Sequence, residues 1–212
     1  MNKENKNTVI DFFNTNADQL ARQYNTIDRT RVHADLLSLL PQDQSLNILD
    51  IGAGSGADAA MFSMMGHMVT ACEPANSLRL IGQNTFGHHA DINWNANCLP
   101  QMGTEAHSAA PFDVVTSVGV LQYLDQDERK LALRKMFSLV ADDGLLQIQY
   151  PTPASREGQH TIKPGEIEKV LSEFGDSMQV IVDNYLPDFT GRKALNGADL
   201  YFRTLIVHRH PE

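Results

Sequence analysis

The stretch Ile48-Leu-Asp-Ile-Gly-Ala-Gly-Ser-Gly-Ala-Asp-Ala-Ala60 decides how the chain is read. A short apolar run ends at Ile51, glycines follow at 52, 54 and 56, and a helix-forming run begins near Gly56. Gly52 and Gly54 carry no Cβ, so the backbone there can turn sharply and lie directly against a ligand. Free N–H groups at the start of the following helix favour an anionic group. Gly52-x-Gly54-x-x-Ala57 fits the relaxed dinucleotide fingerprint, and Glu73 stands about 20 residues on, where that fingerprint places its ribose-binding acid. A carboxylate at the end of a second strand accepts bonds from both ribose hydroxyls. That supports an adenosyl ligand without choosing between NAD and another cofactor.

Asp50 makes the choice. It lies two positions before the first glycine, near the carboxyl end of the first strand. Its charge there repels a pyrophosphate but suits an ammonium group, held directly or through water. A ligand with an amino acid at one end and a ribose at the other fits Asp50 and Glu73 together. S-adenosylmethionine (SAM) is such a ligand.

Around this turn, short apolar runs alternate with amphipathic ones. Strands are expected near 46–51, 67–72, 91–95, 112–118 and 144–150, with helices near 56–66, 76–86 and 126–141. The last helix opens on Asp-Gln-Asp-Glu, acids suited to a helix N-terminus, and another helix follows Pro164-Gly-Glu. Strand–helix alternation predicts a mostly parallel sheet covered on both faces. Two further apolar runs, 178–182 and 200–207, have no helical pattern between them and so predict an antiparallel pair at one edge. Upstream, Phe12, Phe13, Leu20 and Tyr24, then Val32, Leu36, Leu37 and Leu40, recur at helical spacing. The expectation is one domain over 1–212: a helical cap over 1–40 and a Rossmann-like α/β core over 45–212, with seven strands and an antiparallel terminal strand.

The chain has 212 residues, 42% hydrophobic and 20% charged, within the range of a soluble domain able to bury a core unaided. Its net charge of −9 argues against nonspecific binding to nucleic acid or anionic lipid. No apolar run follows the first charged residues and none has the length of a membrane span, so neither a signal peptide nor a membrane anchor is expected. Cys72 and Cys98 lack C-x-x-C spacing, which suits a reduced, cytoplasmic protein with no metal site.

The sequence resembles the class I SAM-dependent methyltransferases over nearly its whole length. The resemblance rests on Leu49-Asp-Ile-Gly-Ala-Gly-Ser-Gly56, Cys72-Glu-Pro74, Asn97-Cys-Leu-Pro100 and Phe112-Asp-Val-Val-Thr-Ser117. More narrowly, Phe12-Phe-Asn, Gln23-Tyr24 and Gly54-Ser-Gly-Ala-Asp-Ala-Ala60 are similar to small bacterial proteins of the "methyltransferase domain" type. The resemblance implies that Gly52, Ala53 and Gly54 line the methionine end of SAM, with Asp50 beneath. Glu73 would bind the ribose, and Pro74 would lie against the adenine. Asn97 and Cys98 would meet the adenine edge and Leu99 its face. Ser117 and Val118 would cover the other side near the sulfonium, and Tyr24 would close over the cofactor. Asn97 stands where an Asp is commoner. Tyr123 and Ala57 stand where relatives of the narrower group often carry His and Arg.

Other conspicuous residues have plainer readings. Met61, Met64, Met65 and Met68 are expected to fill the core behind the glycine turn. Trp94 is expected in the core, and His88 and His89 on a loop surface. Tyr123 and His160, on the rim after the fourth and fifth strands, are the candidates for a catalytic role, with Tyr24 and Tyr150 also around the acceptor. Arg156 could bind an acidic substrate, although solvation at the surface is the expected fate, and Asp188 and Gly191-Arg192 are expected in a turn. The expected activity is O-, N- or C-methylation of a small molecule. Its rivals are a noncatalytic SAM-binding sensor and an NAD(P)-dependent oxidoreductase, although no Tyr-x-x-x-Lys is present.

Overall fold

The computed structural model of the chain describes residues 3–88, 91–102, 111–188 and 192–211. Seven strands form one sheet in the order β3-β2-β1-β4-β5-β7-β6. In chain order they are β1 (Asn47–Ile51), β2 (Met68–Cys72), β3 (Ile92–Asn95), β4 (Phe112–Val118), β5 (Val140–Thr152), β6 (Met178–Pro187) and β7 (Tyr201–Arg209). The first five pair in parallel, while β7 runs antiparallel between β5 and β6. This is the mostly parallel, seven-stranded Rossmann-like sheet with an antiparallel terminal strand.

Alternation along β1 sorts its side chains to opposite faces. Leu49 and Ile51 join one buried cluster with Leu133 and Phe137 of α7 (Gln126–Phe137) and Ile167 and Val170 of α8 (Glu166–Leu171). Ile48 joins the other, with Phe62 of α5 (Ala57–Met64) and Leu36 of α4 (Ala34–Leu37). Both faces of the sheet are therefore covered at β1. Truncating a fully buried side chain such as Phe62 to Ala should cost about 3–5 kcal/mol.

The helix starts follow local chemistry. Asp125 accepts the Glu128 N–H at 2.9 Å while Glu128 accepts the Asp125 N–H at 2.9 Å, a reciprocal cap on α7. The helix ends at Phe137 rather than continuing to 141, because Val140 already pairs with Phe112 as the first residue of β5. Four short helices precede the sheet: α1 (Lys3–Thr15), α2 (Ala17–Tyr24), α3 (Arg29–Val32) and α4. Leu20 and Ala21 of α2 pack on Leu78 of α6 (Asn76–Phe86), and Asn14 Oδ1 accepts the Ser77 N–H at 2.9 Å near the start of α6.

The methionines depart from expectation. Met61 is partly buried against the core, but Met64, Met65 and Met68 are 62%, 50% and 63% exposed. Helical spacing puts residues on a common stripe, yet α5 meets the sheet through Ala59, Ala60 and Phe62 instead. Trp94 is half-buried and fills the space between two glycines: a Cβ at Gly56 would lie 2.5 Å from its ring, and one at Gly82 2.6 Å away. The third glycine of the turn thus serves helix-to-strand packing. His88 is exposed, while His89 and Gly191 lie outside the described residues.

Among the described residues, no helix is long and apolar enough to cross a membrane.

Candidate active site

A cleft of about 250 Å³ runs along the carboxyl ends of the strands. One end is built from the glycine turn, from Glu73, Pro74 and Ala75 after β2, and from Asn97, Cys98 and Leu99 after β3. Gly52 and Gly54 have φ of +74° and +57°, a backbone state that disfavours side chains. A Cβ at Gly52 would also lie 2.3 Å from Val120 Cγ2, and one at Gly54 would lie 3.6 Å from the Tyr24 ring. The turn is a cradle that a Cβ would fill.

Glu73 closes this end. Its carboxylate accepts the Gly54 N–H at 2.9 Å and the Ala75 N–H at 2.7 Å. Burial raises its pKa above the ordinary value, while those two bonds pull it back down. A carboxylate oxygen has more than one acceptor site, so Glu73 keeps capacity for ligand hydroxyls.

Behind the turn lies a buried polar chain that the sequence pattern did not announce. His33 Nε2 stands 3.0 Å from Asp58 Oδ1, and His33 Nδ1 stands 2.7 Å from Gln147 Oε1. Arg29 pairs with Asp58 at 3.3 Å and also donates to the Tyr24 carbonyl. Burial disfavours the His33 imidazolium, but the Asp58 charge and its hydrogen bond overcome this and raise the His33 pKa. Burial likewise opposes the Asp58 carboxylate, and His33 and Arg29 more than offset it, lowering its pKa. His33 meets Asp58 and Gln147, and Arg29 meets Asp58, across 25 or more positions of the chain, so no local spacing could have disclosed these pairs.

Ten of the twelve expected cofactor-binding residues line this cleft: Tyr24, Gly52, Ala53, Gly54, Glu73, Pro74, Asn97, Cys98, Leu99 and Val118. Asp50 and Ser117 lie outside its wall. Asp50 is 2% exposed and faces the Ile48 side of the sheet, where its Oδ1 accepts the Thr116 hydroxyl at 3.1 Å. Its Oδ2 and the Ser117 Oγ are buried with no hydrogen-bond partner among the described residues. Burial, then the nearby Asp58 charge, pushes the Asp50 pKa up to about 7.

The other end of the cleft is built from segments after β4 and β5 and between β6 and β7. Tyr123 lines it, its ring edge-on to Phe13 at 5.3 Å and its hydroxyl accepting from Gln159 Nε2 at 3.1 Å. Two expected neighbours of the acceptor are elsewhere. His160 is exposed and outside the wall, with its backbone N–H bonded to the Gln122 carbonyl. Tyr150 is buried in the sheet, where its hydroxyl accepts from Arg203 at 3.1 Å, because β5 is still paired at that position. Arg156, by contrast, lines the cleft.

This sheet order, with β7 reversed and a glycine turn facing an acid on the neighbouring strand, defines the Rossmann-like methyltransferase fold. The sequence pattern of the family described as "Methyltransferase domain" matches residues 11–186, and the chain belongs to that family.

A protein of Staphylococcus carnosus named as an uncharacterized methyltransferase is 25% identical over 122 residues, covering 55% of this chain and 52% of that protein. The chain thus spans about half the length of that curated relative. Among solved structures, the magnesium protoporphyrin IX methyltransferase of Synechocystis with bound S-adenosylhomocysteine (SAH) matches with TM-score 0.75 and 17% identity, over 97% of this chain and 99% of that one. The 1,6-didemethyltoxoflavin-N1-methyltransferase of Burkholderia thailandensis matches with TM-score 0.67 and 18% identity, over 98% and 90%. At such identities the likeness is one of fold.

Proposed function

We propose that the protein is a SAM-dependent methyltransferase acting on a small-molecule acceptor in the cytoplasm. The observation that carries this reading is the single wall made by Gly52–Gly54, Glu73 and Asn97-Cys98-Leu99 at one end of the cleft. The Synechocystis and Burkholderia enzymes hold SAM or SAH on the same fold, which supports it.

The residues present fit that cofactor. Glu73 would take the ribose hydroxyls, and Asn97, Cys98, Leu99 and Pro74 the adenine. The glycine turn would take the methionine end. Asp50, buried beneath with one oxygen unpartnered among the described residues, would act on the ammonium through its field and not as part of the wall. When bound, SAM supplies a methyl group on a sulfonium, already activated for in-line displacement. The chain's task is then alignment and exclusion of water. Tyr24 covers the turn, and Phe13, Tyr123 and Val118 form an apolar wall beside it. Such positioning can supply roughly 7–11 kcal/mol of the barrier. An acceptor protonated at working pH would also need a base, and of the two expected candidates Tyr123 reaches the cleft while His160 does not.

Thermal melting with SAM, SAH and NAD tests the reading. A ligand at 100 times its dissociation constant stabilises by about 2.7 kcal/mol. SAM and SAH should each raise the melting temperature. A shift with NAD and none with SAM overturns the proposal.

A further inference from the structure

Three guanidinium groups among the described residues line the cleft, and two are matched by carboxylates. Arg29 pairs with Asp58. Arg192 pairs with Asp188, which accepts from its Nε and Nη2 at 3.1 Å each. Arg156 has no carboxylate partner among the described residues, yet it lines the cleft and is only half-exposed. Its guanidinium faces the Tyr24 hydroxyl, whose ionised form it favours against the effect of burial and of Tyr123.

Its position is braced. Gln159 Oε1 accepts the N–H groups of Ser155 and Arg156 at 2.8 and 3.1 Å, while Gln159 Nε2 donates to the Tyr123 hydroxyl. The segment after β5 is thereby folded back on one side chain and tied to the wall of the cleft. Phe13, Tyr123 and Phe202 supply flat apolar surface nearby. A solvated arginine needs none of this framework.

We infer that Arg156 selects the acceptor: a small, flat molecule carrying a carboxylate or an equivalent anionic group. The inference rests on the methyltransferase reading and names the substrate class of that same site. A guanidinium offers paired donors matched to a carboxylate, and a charge-assisted pair shielded from water discriminates strongly against a neutral analogue. The sulfonium of a bound cofactor would add attraction for the same anion.

The test uses the full chain saturated with SAH, titrated calorimetrically with benzoate and 4-hydroxybenzoate and with their neutral amides. At least one acid should bind about tenfold or more tightly than its amide. In Arg156→Gln that preference should shrink to within about threefold, with SAH affinity changed by less than about twofold. Arg192→Gln should keep the preference. Amides binding as well as acids, no acid binding at all, or a preference that survives Arg156→Gln would overturn the inference. So would loss of SAH affinity in Arg156→Gln, which would assign the guanidinium to the cofactor's own carboxylate. Failure of the unaltered protein to bind SAH, seen before any acid is added, would overturn the cofactor reading and this inference together.

Discussion

The backbone N–H of Gly54 donates to the Glu73 carboxylate at 2.9 Å, and the Ala75 N–H donates to its other oxygen at 2.7 Å. The turn after β1 and the end of β2 are therefore one unit. Glu73 is both a wall of the cleft and the brace that fixes the shape of the opposite wall. A residue in that double position should show its two roles separately when altered.

Glu73→Ala leaves two backbone donors without their acceptor, which should cost about 1–3 kcal/mol of stability. The same change should abolish most of the SAH-induced rise in melting temperature. Glu73→Gln keeps one carbonyl acceptor and should fall between. A full SAH shift in Glu73→Ala would show that the ribose lies elsewhere.

Asp50 makes the stability of the ligand-free protein depend on pH. Its folded pKa of about 7 lies above the ordinary 3.8, chiefly through burial and then through the Asp58 charge. Stability from the protonated form is complete below the ordinary value and is lost as pH rises toward 7. His33, with a raised pKa of its own, also loses its contribution with rising pH. Asp58, whose pKa is lowered, loses its contribution only in acid. Melting temperature should thus fall between pH 5 and pH 8. Asp50→Asn should flatten that fall and gain on the unaltered protein as pH rises, by roughly 1–4 kcal/mol at pH 8. Parallel pH profiles for the two proteins would rule out an ionising Asp50.

Gly52→Ala faces two penalties, a φ of +74° and a Cβ 2.3 Å from Val120 Cγ2. Together they should lower stability by about 1–3 kcal/mol and remove SAH binding. Adding Val120→Ala should recover part of the stability, since it relieves the clash and leaves the backbone strain. Chemical denaturation of the three proteins measures both parts. Equal stability of Gly52→Ala and the unaltered chain would contradict the geometry.

Tyr24 covers the turn with its ring and presents its hydroxyl to Arg156. Tyr24→Phe should retain SAH affinity within about threefold, as apolar cover is kept. Tyr24→Ala should lose about tenfold or more by opening the cleft to water. Isothermal titration distinguishes them, and equal losses would mean that the hydroxyl itself binds the cofactor.

Much of the sheet was legible because its strands are short, apolar and bounded by turn residues. The glycine turn and Glu73 were legible because both lie in one β-turn-α-β unit, where spacing along the chain translates directly into spacing in space. Local pattern failed where the partner decides. Helical spacing identified the methionine stripe but could not say that α5 would turn Ala59 and Phe62 to the sheet and leave Met64 in water. Tyr150 belonged by position to the rim, yet β5 continues to Thr152 and buries it against Arg203. His160 also sits in the segment after β5, but it is Arg156 and Gln159 that the fold turns toward the cleft.

The amino-acid sequence by itself determined the order of elements, the glycine turn that lines one end of the cleft and the acid facing its glycines. Those features depend on alternation, glycine conformational freedom and short chain separations. Tertiary structure alone decided which charges are matched. Asp58 meets Arg29 and His33, and Arg192 meets Asp188, whereas Arg156 is held at the cleft without an acid among the described residues. Coulombic pairing acts over a few ångströms, and those separations exist only once the cap, the turn and the segment after β5 have converged.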